Sequence, residues 1–457
     1  MRSSVAIEEM DPASLKTDHT EMETTNVWTL LKLMNGTQYL VFAAMFFGWC
    51  LEGMDFYLAS ITLSEVADTF EIPISRMAVA TTLTLAMRPV GALLFGTLGD
   101  RFGRRWPLVA NVAVCGLVSI GSAFAPNFTI FAILRSIFGI AMGGEWALSA
   151  SMTMESLPKP CHGLFSGILH QAGPLGHIFA ALLHLGVFPS LGWRPIYWIA
   201  AIPTVVIILM RVIIPESPEW LRQRSERMAR QALEDNPSDT SSYFSSLWID
   251  VIRYRKTALH MVALLASLAF VARSLTDLYP TVMRVQLQIP VNVTTAALIS
   301  RDVGTMLGAV ISGYLSQYIG RRTAMLGSIA LALAFVPLFA IPQVGWQVIL
   351  GAIIITTFIG GFQGVLAVFL HELGPSANRV LFMGLTTQCA NLITGATAQI
   401  ESILAEKWPR TARGTVNFTA IMGIVMAIFL CFTLAMLYFV KETAPKRTKA
   451  INEKMSK

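Results

Sequence analysis

Two short basic segments of the chain copy each other and decide its architecture. The first is Gly96-Thr97-Leu98-Gly99-Asp100-Arg101-Phe102-Gly103-Arg104-Arg105, and the second is Gly313-Tyr314-Leu315-Ser316-Gln317-Tyr318-Ile319-Gly320-Arg321-Arg322. In both, two glycines stand seven positions apart, an Arg pair follows the second glycine, and long apolar runs lie on either side. A repeated loop between apolar runs predicts two similar halves embedded in a membrane.

The composition supports a membrane protein. Of 457 residues, 54% are hydrophobic and 14% are charged, whereas a soluble protein carries about a quarter charged residues. A spanning helix needs roughly 20 apolar residues, and the blocks are too long, and too little alternating, for strands. About twelve such blocks are found by window reading, near residues 38–64, 76–98, 106–125, 128–152, 162–188, 195–214, 258–284, 293–315, 323–342, 346–370, 380–403 and 416–440. The sequence therefore predicts an all-α membrane protein with twelve transmembrane helices in two six-helix halves.

The basic residues lie in short loops, which orients the chain. Cytoplasmic loops are enriched in Lys and Arg, so we expect both termini and the middle segment in the cytoplasm. Lys407, Arg410 and Arg413 run against this rule. The predicted division is an N-terminal tail 1–37, a six-helix bundle 38–214, a linker 215–256, a six-helix bundle 257–441 and a C-terminal tail 442–457. The linker forms either surface helices or a plain solvated connection, and the sequence leaves both open.

Several function classes are excluded by what the sequence lacks. Residues 1–27 are polar and acidic, so we expect no signal peptide and a first helix that directs insertion. The five cysteines are scattered without metal-ligand spacing. No nucleophile–base set or nucleotide loop appears, so we expect neither an enzyme nor a cofactor. The net charge of +6 comes from the loops, and we expect a lipid bilayer, no nucleic acid and a monomer.

Several motifs resemble one family of transporters. The Gly-x-x-x-Asp-Arg-x-Gly-Arg-Arg segment that begins at Gly96 resembles the major facilitator superfamily, as do Arg135-Ser136-Ile137-Phe138-Gly139 and the segment 215–221. Glu52-Gly53-Met54-Asp55-Phe56-Tyr57 is similar to a pattern of its sialate:H+ symporter family, which includes the fungal lactate/pyruvate permeases. Further similar segments are 143–146, 277–281, 363–364 and 388–392. The resemblance implies a secondary transporter that works by alternating access.

One segment departs from the permeases. They read Asn-x-x-Ser-His-x-Ser-Gln before Asp-x-x-x-Thr, and this chain has Ala269, Arg273 and Thr276 in place of Asn, His and Gln. A fixed guanidinium thus replaces a titratable imidazole. This departure weighs against lactate itself and leaves transport of anions as a class.

Arg88 is the first candidate ligand for such an anion. A charge inside an apolar block costs roughly 2.5–3.5 kcal/mol and is a functional candidate by default. Arg88 lies ten residues before Leu98, where the second helix is expected to end, which places it roughly 15 Å deep. A guanidinium there can bind a carboxylate by two parallel hydrogen bonds, and the permeases carry an Arg in the matching Arg-x-x-Gly-Ala context. The alternative is a structural pair with Glu52 or Asp55.

The remaining candidates divide into substrate ligands and proton carriers. Arg273 and Asp277, four residues apart, form either a self-neutralised pair or a site where the anion competes for Arg273 and releases Asp277 to take a proton. Glu52 and Asp55 share a helix face and hinder each other's ionisation, unless Asp55 neutralises Arg88. The predicted substrate ligands are Arg88, Arg273, Gln363, Gln388, Asn391 and Tyr279; the predicted proton carriers are Asp277, Asp55 and Glu52.

The twin segments are interpreted as a latch on the inner face. Asp100 is expected to bind a helix N-terminus of a neighbouring segment. Because Gln317 and Tyr318 replace Asp100 and Arg101 in the second copy, we expect the stronger latch in the first half. The predicted gating residues are Asp100, Arg101, Arg104, Arg105, Arg321 and Arg322.

Other intramembrane polar residues are interpreted as structural. Arg135 and Glu145 stand ten apart and are not expected to pair with each other, whereas Arg301 and Asp302 are expected to point in different directions. His170 is interpreted as a satisfied interior residue. The sequence as a whole predicts a transporter of the plasma membrane that imports a small organic anion with a proton. An exporter of an anionic metabolite and a transport-inactive sensor on the same fold are the alternatives.

Overall fold

A computed structural model describes residues 27–233, 240–341, 344–411 and 414–443, and within these ranges the chain is helical, with no strand. We number the membrane-crossing helices α1 to α12. They are α1 Gly36–Ile61, α2 Ile74–Phe102, α3 Arg105–Ala123, α4 Phe128–Ser156, α5 His162–Leu169 with Ala172–Leu191, α6 Trp193–Ile213, α7 Thr240–Arg273 with π-helical turns to Gln286, α8 Val291–Ile319, α9 Arg321–Ala340, α10 Gly345–Leu373, α11 Arg379–Ile393 with Thr397–Lys407, and α12 Phe418–Tyr438.

The helices have the lengths that a bilayer requires. Ten of those described are long and apolar enough to cross a membrane on length and composition alone. The other two are α8, which carries Arg301 and Asp302 in its middle, and α11, which is interrupted at Thr394–Ala396. The predicted all-α membrane architecture is therefore confirmed.

The linker between the halves is partly helical. A separate helix covers Pro218–Leu233, and α7 already begins at Thr240, inside the segment predicted as linker. Residues 234–239 lie outside the described ranges. The helical alternative is thus the one observed over Pro218–Leu233.

The second glycine of each twin segment ends a helix. Gly103 after α2 has φ +103° and Gly320 after α8 has φ +95°, conformations that glycine adopts without a steric penalty. A Cβ atom at Gly103 would lie 2.3 Å from the Glu216 carboxylate, and one at Gly320 would lie 2.5 Å from that of Glu442. Each carboxylate accepts hydrogen bonds from the first backbone N–H groups of the following helix, Arg104 at 2.8 Å and Arg321 at 2.7 Å. The repeated sequence therefore builds the same glycine-and-carboxylate turn twice. We call the membrane face at which these turns lie the basic face.

Small residues let the helices of each half approach closely. A Cβ at Gly143 of α4 would lie 1.9 Å from the carbonyl oxygen of Arg88, and a Cβ at Gly360 of α10 would lie 2.2 Å from that of Thr305. Such close contacts between helices typify membrane proteins. The two contacts are equivalent in the repeat, and the first holds Arg88 against α4.

The first glycine of each twin segment joins the two halves. A Cβ at Gly96 of α2 would lie 2.7 Å from the Cα of Leu381 in α11, and a Cβ at Gly313 of α8 would lie 2.5 Å from the carbonyl oxygen of Gly163 in α5. Helices of opposite halves therefore touch at two related places near the basic face.

Candidate functional site

Two arginines from opposite halves are electrostatic neighbours in the interior. Arg88 of α2 interacts electrostatically with Glu52 of α1 and with Arg273 of α7. Its guanidinium carbon lies 5.9 Å from the centre of the Phe56 ring. Among the described residues it has no ion pair within 4.0 Å, and its buried Nε has no hydrogen-bond partner. Since a partly buried guanidinium that forms no close ion pair is costly, this site favours an anionic ligand.

Arg273 belongs to an open ion pair in the second half. Its Nη1 lies 3.6 Å from Oδ2 of Asp277, and the two side chains are 20% and 35% exposed. Asp277 lies in the π-helical turn Ser274–Leu278 that directly follows Arg273. Such turns occur frequently at functional sites. The pair is accessible and loosely closed, so a carboxylate ligand can compete for Arg273.

The acids inside the first half are paired, with one exception. Asp55 accepts a hydrogen bond from Arg135 at 2.8 Å, and Glu145 accepts from Arg211 of α6. Arg135 therefore pairs with a neighbouring helix and not with Glu145, as expected. The partner of Asp55 is Arg135, so the alternative in which Asp55 neutralises Arg88 does not hold. Glu52 is 3% exposed, forms no ion pair within 4.0 Å among the described residues, and leaves Oε1 without a hydrogen-bond partner.

The predicted amide ligands lie where the two halves meet. Gln363 of α10 and His170 of α5 are neighbours across this boundary. Gln388 of α11 donates to the carbonyl of Gly143 in α4 at 3.4 Å, and Asn391 donates to Gln388 at 3.2 Å. The amides thus bridge helices of opposite halves in this conformation.

Tyr279 occupies a different environment from the other predicted ligands. Its side chain is fully buried in the core of the second half, with its ring 6.4 Å from that of Phe339. Its hydroxyl group has no hydrogen-bond partner among the described residues. It therefore packs inside that half and we do not include it among the proposed ligands.

Arg301 and Asp302 do not diverge as expected. Arg301 Nη2 lies 2.6 Å from Oδ1 of Asp302, and Arg301 Nη1 donates to the carbonyl of Leu275 in α7 at 2.5 Å. The expectation compared the directions of the two Cβ atoms and neglected the length of the Arg side chain, which folds back over its neighbour. The other carboxylate oxygen of Asp302 faces His177 of α5 at 3.4 Å.

A gate joins the two halves at the basic face. Asp100 of α2 accepts hydrogen bonds from the backbone N–H groups of Val380 at 3.2 Å and Leu381 at 3.0 Å, in the first turn of α11. Asp100 and Arg104 are 1% and 0% exposed. The expected contact between Asp100 and a neighbouring helix N-terminus is therefore present.

A second layer of charge supports the gate in both halves. Arg104 donates to both oxygens of Glu155, at 2.9 and 3.1 Å, and Arg321 contacts Glu372 at 3.3 Å. Arg379 of α11 also lies 3.6 Å from Glu155 and thereby adds an ion pair between the halves. The hydroxyl groups of Ser217 and Thr443 donate to Glu155 and Glu372 at 2.5 and 2.6 Å. The cluster of buried charges is thus repeated in the second half. Gln317 stands at the position equivalent to Asp100, so the second copy has no carboxylate there.

The other predicted gating arginines act within one half. Arg105 donates to the carbonyl of Val212 at the end of α6, and Arg322 donates to that of Tyr438 at the end of α12 at 2.7 Å. Cations at helix C-termini are stabilising. The guanidinium of Arg101 lies over the Phe102 ring at 5.2 Å. Arg105 and Arg322 thus tie helix ends together within their own halves.

Reasoning from the sequence missed several members of these networks. They are Glu155, Glu372, Glu442, Arg379, Arg211 and Glu401. A signal for the first two was available, because Arg104 precedes Glu155 and Arg321 precedes Glu372 by the same 51 residues. Glu401, which accepts a hydrogen bond from Ser274, is 1% exposed. Nothing in its local sequence marks it as buried, since it lies in the less apolar second part of α11.

Several known transporters are similar to this chain in sequence. A carboxylic acid transporter protein homolog of Saccharomyces cerevisiae is 26% identical over 454 residues, covering 94% of this chain and 73% of the yeast protein. The cis,cis-muconate transport protein of Acinetobacter baylyi is 24% identical, covering 76% of this chain and 83% of its own. The sialic acid transporter NanX of Escherichia coli is also 24% identical, covering 78% and 84%.

A solved structure shares the fold. The proton:xylose symporter XylE bound to 6-bromo-6-deoxy-D-glucose superposes with a TM-score of 0.71 at 19% identity, covering 89% of this chain and 96% of XylE. The family model of the Major Facilitator Superfamily matches residues 45–396. Because that match spans both halves and the gate between them, the chain belongs to the Major Facilitator Superfamily.

Proposed function

We propose that this protein imports a small organic anion together with a proton across the plasma membrane, with the basic face and both termini in the cytoplasm. The observation that carries the proposal is the pair Arg88 and Arg273, which come from opposite halves and interact electrostatically. Two cations that repel each other inside a membrane protein are stabilised when an anion lies between them. Relatives named for transport of carboxylic acid, muconate and sialic acid support an anionic substrate.

Binding between the halves links the substrate to alternating access. A carboxylate that accepts hydrogen bonds from both guanidinium groups holds α2 and α7 together, which favours closure of the cavity around it. Opening at the basic face then requires Asp100 to leave the first turn of α11. The substrate site and the gate thus lie on the same helix, α2, which rocks as one body.

Two carboxylates are suited to carry the proton. Asp277 loses Arg273 when the anion binds Arg273, and a carboxylate deprived of its cation inside the membrane takes up a proton. Glu52 is buried and already lacks a partner within 4.0 Å among the described residues. Asp55 is held by Arg135 at 2.8 Å, so its protonation requires that pair to open.

The test is uptake into proteoliposomes that contain the purified protein. Labelled acetate, lactate, succinate, citrate and cis,cis-muconate are offered with and without an acidic exterior. Accumulation of at least one anion above its equilibrium level, abolished by a protonophore, supports proton-coupled import. Accumulation driven only by an acidic interior would instead indicate that the anion is exchanged for a proton, as in an exporter.

A further inference from the structure

Helix α5, together with the turn that interrupts it at residues 170–171, carries three histidines at equal spacing. His170, His177 and His184 stand seven residues apart and are three of the seven histidines in the chain. Seven residues are close to two helical turns, so the three side chains fall on one face. Successive histidines are about 10 Å apart along the helix axis, and the set extends over about 21 Å. The set, which we call the histidine row, covers most of the depth of a bilayer core.

Each member of the row contacts a side chain from the first membrane crossing or its extension. The ring of His170 lies 5.5 Å from that of Trp49, and the ring of His177 lies 4.4 Å from that of Tyr57. His184 Nε2 lies 3.7 Å from Oε1 of Glu65, which lies in the short helix Leu63–Thr69 at the face opposite the basic face. These three partners are themselves eight residues apart, so the row follows α1 across the membrane.

The second partners of the row change along it. His177 Nδ1 lies 3.4 Å from Oδ2 of Asp302 in α8, so this contact joins the two halves. The neighbour of His170 is Gln363, which is neutral and also belongs to the second half. The outer and middle histidines therefore face carboxylates, and the innermost one faces an amide that cannot take a proton.

The middle histidine lies beside the proposed anion site. Tyr57, whose ring is tilted by 34° against that of His177, interacts electrostatically with Arg88, Asp277, Asp302 and Arg301. The groups that face His177 are thus Tyr57 from α1 and Asp302 from α8, with Arg301 behind Asp302. Its side chain is 32% exposed and that of His184 is 20% exposed. Both side chains are thus partly exposed, although Nε2 of His184 is itself buried and has no hydrogen-bond partner among the described residues.

We propose that the histidine row conducts the coupling proton from the outer face through His184 to His177, from which the carboxylate that carries it receives it; while on His177, the proton strengthens the contact with Asp302 that joins the two halves. This inference rests on the proposed proton-coupled import. In each step along the row an N–H bond forms on one imidazole as one breaks on the donor, and no other bond changes. Imidazole is suited to this role because it gains and loses a proton near neutral pH.

Protonation of His177 links the proton to the movement of the halves. A neutral ring could donate at most an ordinary hydrogen bond to Asp302, whereas a protonated ring would donate a charge-assisted one that is roughly twice as strong. A proton on His177 therefore draws α5 toward α8 around the bound anion. His170, beside the amide of Gln363, marks the inner end of the row.

The experiment compares variants in proteoliposomes with the labelled anion of the panel that the wild type takes up fastest. We measure accumulation driven by an acidic exterior and counterflow at equal pH on both sides. His177→Gln and Asp302→Asn are each expected to lower accumulation at least tenfold, and the double variant is expected to be no lower than either single one. His260→Gln serves as the matched control, since His260 bonds to the carbonyl of Met436 and lies outside the row. It should keep both activities within twofold.

The outcomes separate this inference from the proposed function. If the wild type accumulates an anion and His177→Gln does so equally, the histidine row is not the proton path while proton-coupled import stands. If the wild type accumulates no anion of the panel, proton-coupled import itself is contradicted. If His177→Gln also loses counterflow, His184→Gln decides, because it does not touch the anion site: accumulation lowered at least threefold supports the row, and unchanged accumulation overturns it.

Discussion

The carboxylate of Asp100 binds the backbone N–H group of Leu381 at 3.0 Å, across the boundary between the two halves. This contact closes the basic face by placing a negative charge at the N-terminus of α11, where the helix dipole favours it. The same carboxylate lies 2.9 Å from Arg104 of its own half. Asp100 therefore connects the charge cluster of one half to the gate helix of the other.

Replacement of Asp100 by Asn should weaken the closed gate. An amide keeps one hydrogen-bond acceptor and loses the charge, which costs the closed state about 1–2 kcal/mol, or roughly a five- to thirtyfold shift in the equilibrium. We expect more labelling of a cysteine introduced at the buried Ser151, behind the gate, by a thiol reagent added from the basic face, together with slower turnover. Gln317→Asn, at the equivalent position of the second copy, should change both much less. Wild-type labelling and turnover in Asp100→Asn would count against a gate.

Loss of the Arg88 guanidinium should weaken substrate binding. Hydrogen bonds to charged groups contribute about 1.5–3 kcal/mol each, so Arg88→Gln is expected to raise the KM for uptake roughly tenfold to a hundredfold. Counterflow should fall equally, because binding precedes both processes. Arg222→Gln, on the exposed linker helix, is the matched control. An unchanged KM in Arg88→Gln would remove Arg88 from the proposed site.

Asp277→Asn should separate accumulation from exchange. Without a titratable group at this position, the anion still binds Arg273, but its binding no longer draws in a proton. We therefore expect accumulation driven by an acidic exterior to be lost and counterflow to remain. Asp68→Asn, at an exposed position outside the interior, should retain both. Full accumulation by Asp277→Asn would show that another group carries the proton.

A larger residue at Gly103 should destabilise the turn. Alanine would adopt φ +103° with strain of about 1–3 kcal/mol, and its Cβ would meet the Glu216 carboxylate. Gly103→Ala should therefore lower the Tm of the purified protein by a few degrees. Gly327→Ala in α9, where a Cβ would meet nothing within 4 Å, is the control and should leave the Tm unchanged. Equal Tm values for the two variants would contradict this reading of the turn.

The sequence predicts the fold well, because the bilayer imposes long apolar helices that are visible in the chain. The twin segments also show the repeat. Asp100 stands out as a contact residue, because an acid at the end of an apolar block needs a partner that stabilises its charge. The breaks inside α5, α7 and α11 are less visible. Each lies beside a Pro or Gly, at Pro174, Pro280 and Gly395, but such residues also occur inside unbroken helices, as at Pro89 of α2.

The pairing of buried charges is the part that the sequence predicts least. Asp55 finds Arg135, which lies 80 residues away, and Glu145 finds Arg211, which lies 66 residues away. Such partners follow from which helices are neighbours and at what depth each residue lies, and one sequence fixes neither. The fold brings Arg273 close to Arg88 although they belong to different halves. The two copies are offset by 217 residues. Adding this offset to the number of each charged residue would have shown that Glu155 and Glu372 are equivalent.

The central claim is that the two halves bind a small organic anion and couple it to a proton. The most direct measurement is uptake of labelled carboxylates into proteoliposomes with and without an acidic exterior. We predict that at least one carboxylate accumulates only when the exterior is acidic, and that a protonophore abolishes the accumulation. Uptake of every carboxylate that merely equilibrates, with no response to the pH gradient, would contradict the claim.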